Sequence, residues 1–368
     1  MRVALLHDYL NQYGGGERVL ETLMEIFPDA PIYTLLYDED RTYGKFRGRV
    51  KKTSFLDWPL ARRNHRWFIP FMARAAEAMN VDDQYDLIIS DTAGYAKGIR
   101  VPAGAVHLSY THTPLRYAWE QDNYLQPILS KPQLLMARPI LNYLQRWDHK
   151  AGQKPDHLLA NSRFIADKIK RYYDRESDVI YPPVDTKMFY REKNVKDRSY
   201  YLGVGRLLHY KRFDLMVKAF SKLGLPLKIL GTGPELENLK TLADSGVGSK
   251  ANIEFITFLD NENELRSLYN NAKALVFPQV EDFGLVAAEA QVCGTPVIAY
   301  GAGGALEIVD DSISGVLFEK QSVESLINAV MRVEKMRFNR AKISSMGSRF
   351  SKDKFKKLLL AKIDSLGI

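Results

Sequence analysis

The sequence predicts an α/β protein of two doubly wound domains, each built on a parallel sheet. Three observations predict it. Short β-branched runs alternate with helical patterns along the whole chain, and alternation of that kind implies parallel sheets covered by helices on both faces. The scheme runs through the first half and again through the second. At 368 residues the chain is also too long for one ordinary core, so two domains of about 150 to 200 residues are expected.

In order, RVALLHD, APIYTLLY, YDLIIS, AVHLSYT, DHLLANS and DVIYPPV read as strands in the first half. ERVLETLMEIF and RFIADKIKRYY carry the apolar spacing of helices there. The second half gives strands at SYYLGVG, LKILG, IEFIT, ALVFP, PVIAY and GVLF, with helices at FDLMVKAFSKL, NELRSLYNNA, GLVAAEAQVCG and SVESLINAVMRVEK. Between Pro182 and Arg198 a proline pair meets a charged stretch with little periodicity, which marks a boundary. The expected domains are therefore residues 1–185 and 199–349, joined by a linker at 186–198. The last segment, about 350–368, is a helix with no obvious place in the second sheet, and it is expected to return to the first domain. No 20 to 50 residue repeat is visible.

Hydrophobic residues make 46% of the chain and charged residues 26%, the balance of a globular protein, and no run approaches the ~18 apolar residues of a membrane span. MRVALLHDYL holds an apolar run too short for a signal peptide, and the single cysteine, Cys293, excludes an internal disulfide. A cytoplasmic location is expected. The net charge is +8, and ten Lys or Arg against one acid, Asp57, place +9 between Arg41 and Arg74. That segment also holds Trp58, Trp67, Phe68, Ile69 and Phe71, a mixture that suits the anionic inner face of a membrane, although a solvated basic face over a core helix is the plainer reading. No nucleic-acid motif accompanies the charge, so a nucleic-acid partner is not expected.

Ligands of open α/β sheets bind at the carboxyl ends of strands, which directs attention to the loops there. After the first strand, Gly14, Gly15 and Gly16 open a helix, where bare backbone and free amides favour an anion such as phosphate; a plain tight turn would also use them. In GVGRLLHYKRFDLMVKAF, Arg206 follows a strand, and Lys211 and Arg212 are expected in the first turn of a helix. Cations are disfavoured there unless an anion binds, and an Arg with a Lys suits a diphosphate.

In VEDFGLVAAEA, Glu281 and Glu289 bracket an apolar stretch, and Glu289 shares a helical stripe with Leu285 and Val292. A carboxylate so placed needs a hydrogen-bonding partner. Eight positions span about 12 Å in a helix, wider than the ~5 to 9.5 Å of a glycosidase pair. Two carboxylates holding separate parts of one long ligand fit better, with the amides near Phe283, Gly284 and Leu285 facing an anion between them.

These residues carry a resemblance. Glu281 to Glu289 is similar to the E-x7-E motif of retaining glycosyltransferases of the GT-B fold, family 4. The glycine loop, VGRLLHYKR, GTGPELENL, GTPVIAYGAGGALEIV, SGVLF and ANSRFIADKI with VIYPPVD fall where that family has similar runs, so the resemblance covers nearly the whole chain. YTHTPLRYAWE, residues 110–120, resembles the branch that transfers mannose from GDP-mannose in bacterial surface polysaccharide assembly.

The resemblance implies two Rossmann-like domains facing across a cleft and a hexosyl transfer to a glycan or lipid-linked glycan acceptor. By matching position, Arg206 and Lys211 would bind the donor diphosphate, and Gly14, Gly15 and Gly16 would close on it. Glu281 would hold hydroxyls of the sugar, Glu289 those of the ribose, and His112 would lie against the donor sugar. No cofactor is implied. Asp38-Glu39-Asp40 spells a DxD, but it precedes Arg41 in an expected surface turn, and His7, His65, His107, His149, His157 and His209 lack metal-ligand spacing. No metal is therefore expected. A UDP- or dTDP-sugar donor, a sugar-nucleotide epimerase of the same fold and a non-catalytic membrane-associated binding subunit are the alternatives.

Overall fold

A computed structural model of the chain describes all residues except 122–124, 126–128, 196–197, 246–251 and 260. Residues 196–197 of the expected linker thus lie outside the described residues. The chain divides into two compact units: residues 1–183 with 355–368, and residues 184–354.

The first unit holds β1 (Val3–His7), β2 (Ile32–Thr34), β3 (Val50–Thr53), β4 (Leu87–Thr92), β5 (Val106–Thr111), β6 (His157–Ala160) and β7 (Asp178–Val179). They form one sheet in the order β3-β2-β1-β4-β5-β6-β7, every pair parallel. Successive side chains of a strand point to opposite faces, and β1 shows the result. Ala4 and Leu6 enter a core with Tyr33, Ile88 and Met72, whereas Val3 and Leu5 enter another with Val19, Leu23 and Ile89. Helices α1 (Gly15–Ile26), α2 (Ile69–Ala78), α3 (Lys131–Gly152) and α4 (Arg163–Tyr173) surround the sheet. Serine caps α4: Ser162 Oγ accepts from Ile165 N at 3.1 Å.

Two of these elements escape the sequence reading. β3 is a half-buried edge strand reading VKKT, whose lysines hide the period of two. Helix α3 contains Pro139 and many exposed residues, yet its Leu144, Trp147 and Ala151 belong to the core. It also brings Asp148 to Lys97, an ion pair of 2.7 Å with both side chains 0% exposed. Burial of both charges is tolerable because Trp119 Nε1 and the Tyr173 hydroxyl each donate to Asp148 at 2.8 Å.

The second unit holds β8 (Tyr200–Val204), β9 (Leu227–Leu230), β10 (Ile253–Ile256), β11 (Ala272–Phe277), β12 (Val297–Tyr300) and β13 (Gly315–Phe318), in the order β10-β9-β8-β11-β12-β13 and again all parallel. Its main helices are α5 (Phe213–Leu223), α6 (Leu236–Asp244), α7 (Glu262–Asn271), α8 (Leu285–Val292), α9 (Val323–Lys335) and α10 (Arg340–Gly347). Phe213, Met216, Val217 and Phe220 of α5 bury one face against β8 and β11. The last helix, α11 (Lys352–Asp364), places Phe355, Leu359 and Ile363 in the core of the first unit with Val3, Leu5 and Tyr110. Lys356 of α11 pairs with Glu25 at 2.8 Å and Lys362 with Asp178 at 2.7 Å.

Strand order reverses between β1 and β4 in the first sheet, and between β8 and β11 in the second. Crevices at the carboxyl ends of such strand pairs are where open α/β sheets take ligands.

Candidate functional site

At the first reversal, β1 ends in His7-Asp8, β4 in Asp91-Thr92, and His112 directly follows β5. The His112 ring donates from Nε2 to Asp91 Oδ1 at 2.6 Å, and His7 donates from Nδ1 to Asp91 Oδ2 at 2.9 Å. The other His7 nitrogen, Nε2, lies 3.7 Å from Glu17 Oε1. Glu17 stands in the first turn of α1, and its Oε2 accepts from Gly14 N at 2.8 Å. Gly16 borders this cluster, because a Cβ there would touch it, 3.6 Å from His112 Nε2 and 3.7 Å from His7 Cε1. The glycine loop and His112 are thus neighbours.

Charge is distributed unevenly over this cluster. Burial disfavours an imidazolium at His7, but hydrogen bonds and attraction from Asp91 and Glu17 outweigh it and raise the pKa to about 10. Burial likewise opposes the carboxylate of Asp91, yet His112 and His7 hold its pKa below the usual range. Behind it, Asp8 accepts from Thr92 Oγ1, Ala93 N, Tyr95 N and Ala96 N at 2.6 to 2.9 Å, which fixes the loop after β4.

At the second reversal, Arg206 follows β8 and is exposed, while Lys211 closes a short 3-10 turn, His209–Lys211. The expectation that Lys211 and Arg212 lie in the first turn of a helix is corrected: α5 begins at Phe213, and Arg212 precedes it with a left-handed φ of 55°. The αL residue reverses the chain before the helix. Lys211 Nζ meets Glu281 Oε1 at 2.7 Å, with side chains 16% and 15% exposed.

Glu281 is not in a helix either. It sits in a turn that ends at Gly284, whose φ of 106° requires glycine, before α8 starts at Leu285. The loop after β12 clamps this turn. Gly304 N donates to Glu281 O at 2.9 Å, and a Cβ at Gly304 would lie 2.2 Å from Phe283 O. Glu289 lies within α8, 2% exposed, and the Tyr269 hydroxyl donates to its Oε2 at 2.8 Å. Phe283 is 3% exposed with its ring edge-on to Phe350 at 5.3 Å, so what it offers a ligand is backbone.

The structure therefore brings Lys211 to Glu281 and the glycine loop to His112, and gives Glu289 a partner of its own. Sequence reasoning passed over His7, Glu17, Asp91 and Tyr269. Polar side chains closing the apolar strands β1 and β4 were the available signal for His7 and Asp91. Asp38 accepts from Arg41 N at 3.2 Å and pairs with its guanidinium, and Glu39 pairs with Arg47; among the described residues no cluster of His, Cys, Asp and Glu suits a metal ion.

The basic segment 41–74 is not one helix but a 3-10 turn, strand β3 and helical turns leading into α2. Part of its charge is used internally: Arg62 forms a two-point pair with Asp57 at 2.7 and 3.0 Å, Arg49 donates to the carbonyls of Phe27 and Ala30, and Lys51 pairs with Asp82. Arg63, Arg66 and Arg74 make no ion pair among the described residues. Beside them Trp67 is 71% exposed, and Phe55, Trp58, Leu60 and Phe71 are exposed as well. No described helix is long and apolar enough to cross a membrane.

The chain is similar to known proteins in sequence and in fold. The family described as Glycosyltransferase Family 4 matches residues 13–188, and the family described as Glycosyl transferases group 1 matches residues 185–350. A D-inositol 3-phosphate glycosyltransferase of Mycobacteroides abscessus is 30% identical over 284 residues, 67% of this chain and 64% of that protein. An uncharacterized glycosyltransferase of Methanocaldococcus jannaschii is 28% identical over 205 residues, 55% of this chain and 56% of that one. The alignments span about half the length of most of these curated relatives. Among solved structures, Anabaena HepE in complex with UDP superposes with a TM-score of 0.73 at 17% identity, covering 99% of this chain and 100% of that one. Sucrose-phosphate synthase from Thermosynechococcus elongatus gives 0.74 at 17% identity, covering 100% and 99%. At such identities the likeness speaks for the fold alone. Two all-parallel Rossmann-like units, and two family matches that together run from residue 13 to residue 350, place this chain among the glycosyltransferases of group 1 and family 4, on the GT-B fold.

Proposed function

We propose that the chain moves a hexose from a nucleoside diphosphate sugar to a glycan acceptor, with retention at the anomeric carbon and without a metal. The observation that carries this reading is the Lys211–Glu281 contact at the strand-order reversal of the second unit, where Arg206 follows β8. A diphosphate can take the cation and a sugar hydroxyl the carboxylate, so one elongated donor satisfies both members of the pair.

Breaking the bond from the anomeric carbon to the diphosphate leaves positive charge on the sugar and negative charge on the leaving group. Arg206 and Lys211 stabilise that negative charge from fixed positions, which is where electrostatic catalysis gains most. Glu281 accepts from hydroxyls of the sugar, Glu289 from those of the ribose, and His112 lies against the donor sugar. Gly14 shapes the turn, its amide held by Glu17 Oε2, and Gly15 and Gly16 leave backbone open to a phosphate, as do the amides of Phe283, Gly284 and Leu285 ahead of α8. The acceptor hydroxyl attacks from the leaving-group side and gives its proton to a phosphate oxygen, so no protein base is assigned.

Residues 110–120 favour mannose from GDP-mannose as the donor. A uridine donor is the second reading, favoured by the UDP in the Anabaena structure. The acceptor is a lipid-linked saccharide of surface polysaccharide synthesis, reached at an anionic membrane through residues 41–74, where exposed Trp67 and Phe71 accompany Arg63 and Arg66. Incubation of the purified chain with labelled GDP-mannose, UDP-glucose, UDP-N-acetylglucosamine and dTDP-glucose tests the reading. Transfer, or slow hydrolysis without acceptor, supports it; epimerisation or inertness toward all four contradicts it.

A further inference from the structure

The cluster behind His112 holds three ionisable groups that the proposed chemistry does not use. Asp91 is 0% exposed, and two imidazoles share its carboxylate, one on each oxygen. Of the two, only His7 has a second carboxylate on its far nitrogen, Glu17 Oε1 at 3.7 Å. His7 is thus held between two carboxylates, whereas His112 has Asp91 alone. His112 then spends its Nε2–H on Asp91, and its Nδ1 makes no hydrogen bond among the described residues.

We infer that Glu17, His7 and Asp91 form a positioning relay that orients the His112 ring, holding its Nε2–H on Asp91 so that Nδ1 accepts a hydrogen bond from a hydroxyl of the donor sugar. This rests on the proposed placement of His112 against the donor. Glu17 joins the relay to the glycine loop through Gly14 N at 2.8 Å, so that loop and the ring that faces the sugar share one chain of contacts. The groups acting on His7 are Glu17 from α1 and Asp91 from β4; those acting on Asp91 are His7 and His112. The neighbouring Tyr110 ring packs edge-on to His112 at 5.3 Å, and its hydroxyl donates to Ile180 O at 2.9 Å and stays protonated, since burial and Asp91 raise its pKa. His7, Glu17 and Asp91 are positioning residues, because none is assigned a contact with the substrate.

Nitrogen-15 spectra of the full chain labelled at histidine, followed from pH 5 to 9, test the relay. In the wild type His7 remains an imidazolium at pH 8, where an ordinary histidine is neutral, and His112 Nε2 shows a hydrogen-bonded N–H. His7→Gln, Glu17→Gln and Asp91→Asn each loosen the ring, so the His112 Nε2–H signal shifts or is lost to exchange. A purely structural role lowers the melting temperature of these variants but leaves that signal in place. A neutral His7 at pH 8 in the wild type, or His112 signals unmoved in both Glu17→Gln and Asp91→Asn, overturns the relay. The wild-type reading needs no variant to fold. His112→Ala, assayed by release of nucleoside diphosphate from GDP-mannose and UDP-glucose, separates the two layers: loss of turnover supports the placement of His112, and undiminished turnover overturns that placement whatever the spectra show.

Discussion

Replacement of Lys211 by alanine removes the cation assigned to the diphosphate and leaves the rest of the second unit intact. Its Nζ lies 2.7 Å from Glu281, and the two side chains are only 16% and 15% exposed, so the change leaves a mostly buried carboxylate without its cation. The cost to folding lies between that of an exposed pair, about 1 kcal/mol, and the about 3 to 5 kcal/mol of a fully buried one, and it moves a melting temperature by roughly 2 to 4 °C for each kcal/mol. The rate should respond as well. A unit charge about 4 Å from a leaving phosphate interacts by about 4 kcal/mol at an effective dielectric constant of 20. Part of that is already present with the bound donor and appears in KM, so about 3 kcal/mol remains for the chemical step, a loss of about two orders of magnitude in kcat. Initial rates of nucleoside diphosphate release, with a thermal melt of the same preparation, provide both numbers. Turnover within threefold of wild type would refute the assignment of Lys211, and a collapse of the melt would refute the claim that the change is confined to the site.

Three further outcomes are expected. Lys97→Ala leaves Asp148 buried without its cation, which should cost the first unit about 3 to 5 kcal/mol in urea unfolding. All four tryptophans, Trp58, Trp67, Trp119 and Trp147, lie in that unit, so their fluorescence reports it alone. His7 has its folded pKa raised to about 10 from an ordinary value of about 6.5, so its contribution is complete below pH 6.5 and is lost as the pH rises toward 10. Urea midpoints of the wild type should therefore fall over that window more steeply than those of His7→Gln; equal slopes would contradict a charged His7. On vesicles containing anionic lipid, Arg63→Ser with Arg66→Ser, or Trp67→Ser, should weaken sedimentation severalfold, whereas Arg62→Ser should do less because Asp57 already neutralises that guanidinium. Binding unchanged in all of them would leave the segment a solvated basic face.

Both sheets were legible because their strands are buried on two faces and read as apolar runs, and VALLH and LIISDT could hardly be anything else. The long helix α3 was hidden by its composition: the residues that reach the core, Leu144, Trp147 and Ala151, are diluted by charges and two prolines on the outer face. Edge strand β3 was hidden for the same reason, since only one side of VKKT meets other residues.

At the candidate site, spacing pointed to the residues but not to their conformations. A run of helix-forming residues suggested that Lys211 and Arg212 open a helix, but Arg212 adopts left-handed backbone and leaves both outside it. Contacts between elements remote in sequence were out of reach altogether. Nothing in the order of residues says that Glu17, His7, Asp91 and His112 meet, because that depends on the register of β1 with β4 and of β4 with β5. Tyr269 reaches Glu289 from another helix in the same way.

The central claim is that fixed cations of the second unit bind the diphosphate of a nucleotide sugar. Titration calorimetry of the full chain with UDP and with GDP tests it most directly. At least one of the two should bind to the wild type with measurable heat, and that heat should weaken about tenfold or more in affinity when Arg206 or Lys211 is replaced by alanine. No heat with either nucleotide, or equal affinity in wild type and both variants, would contradict the account.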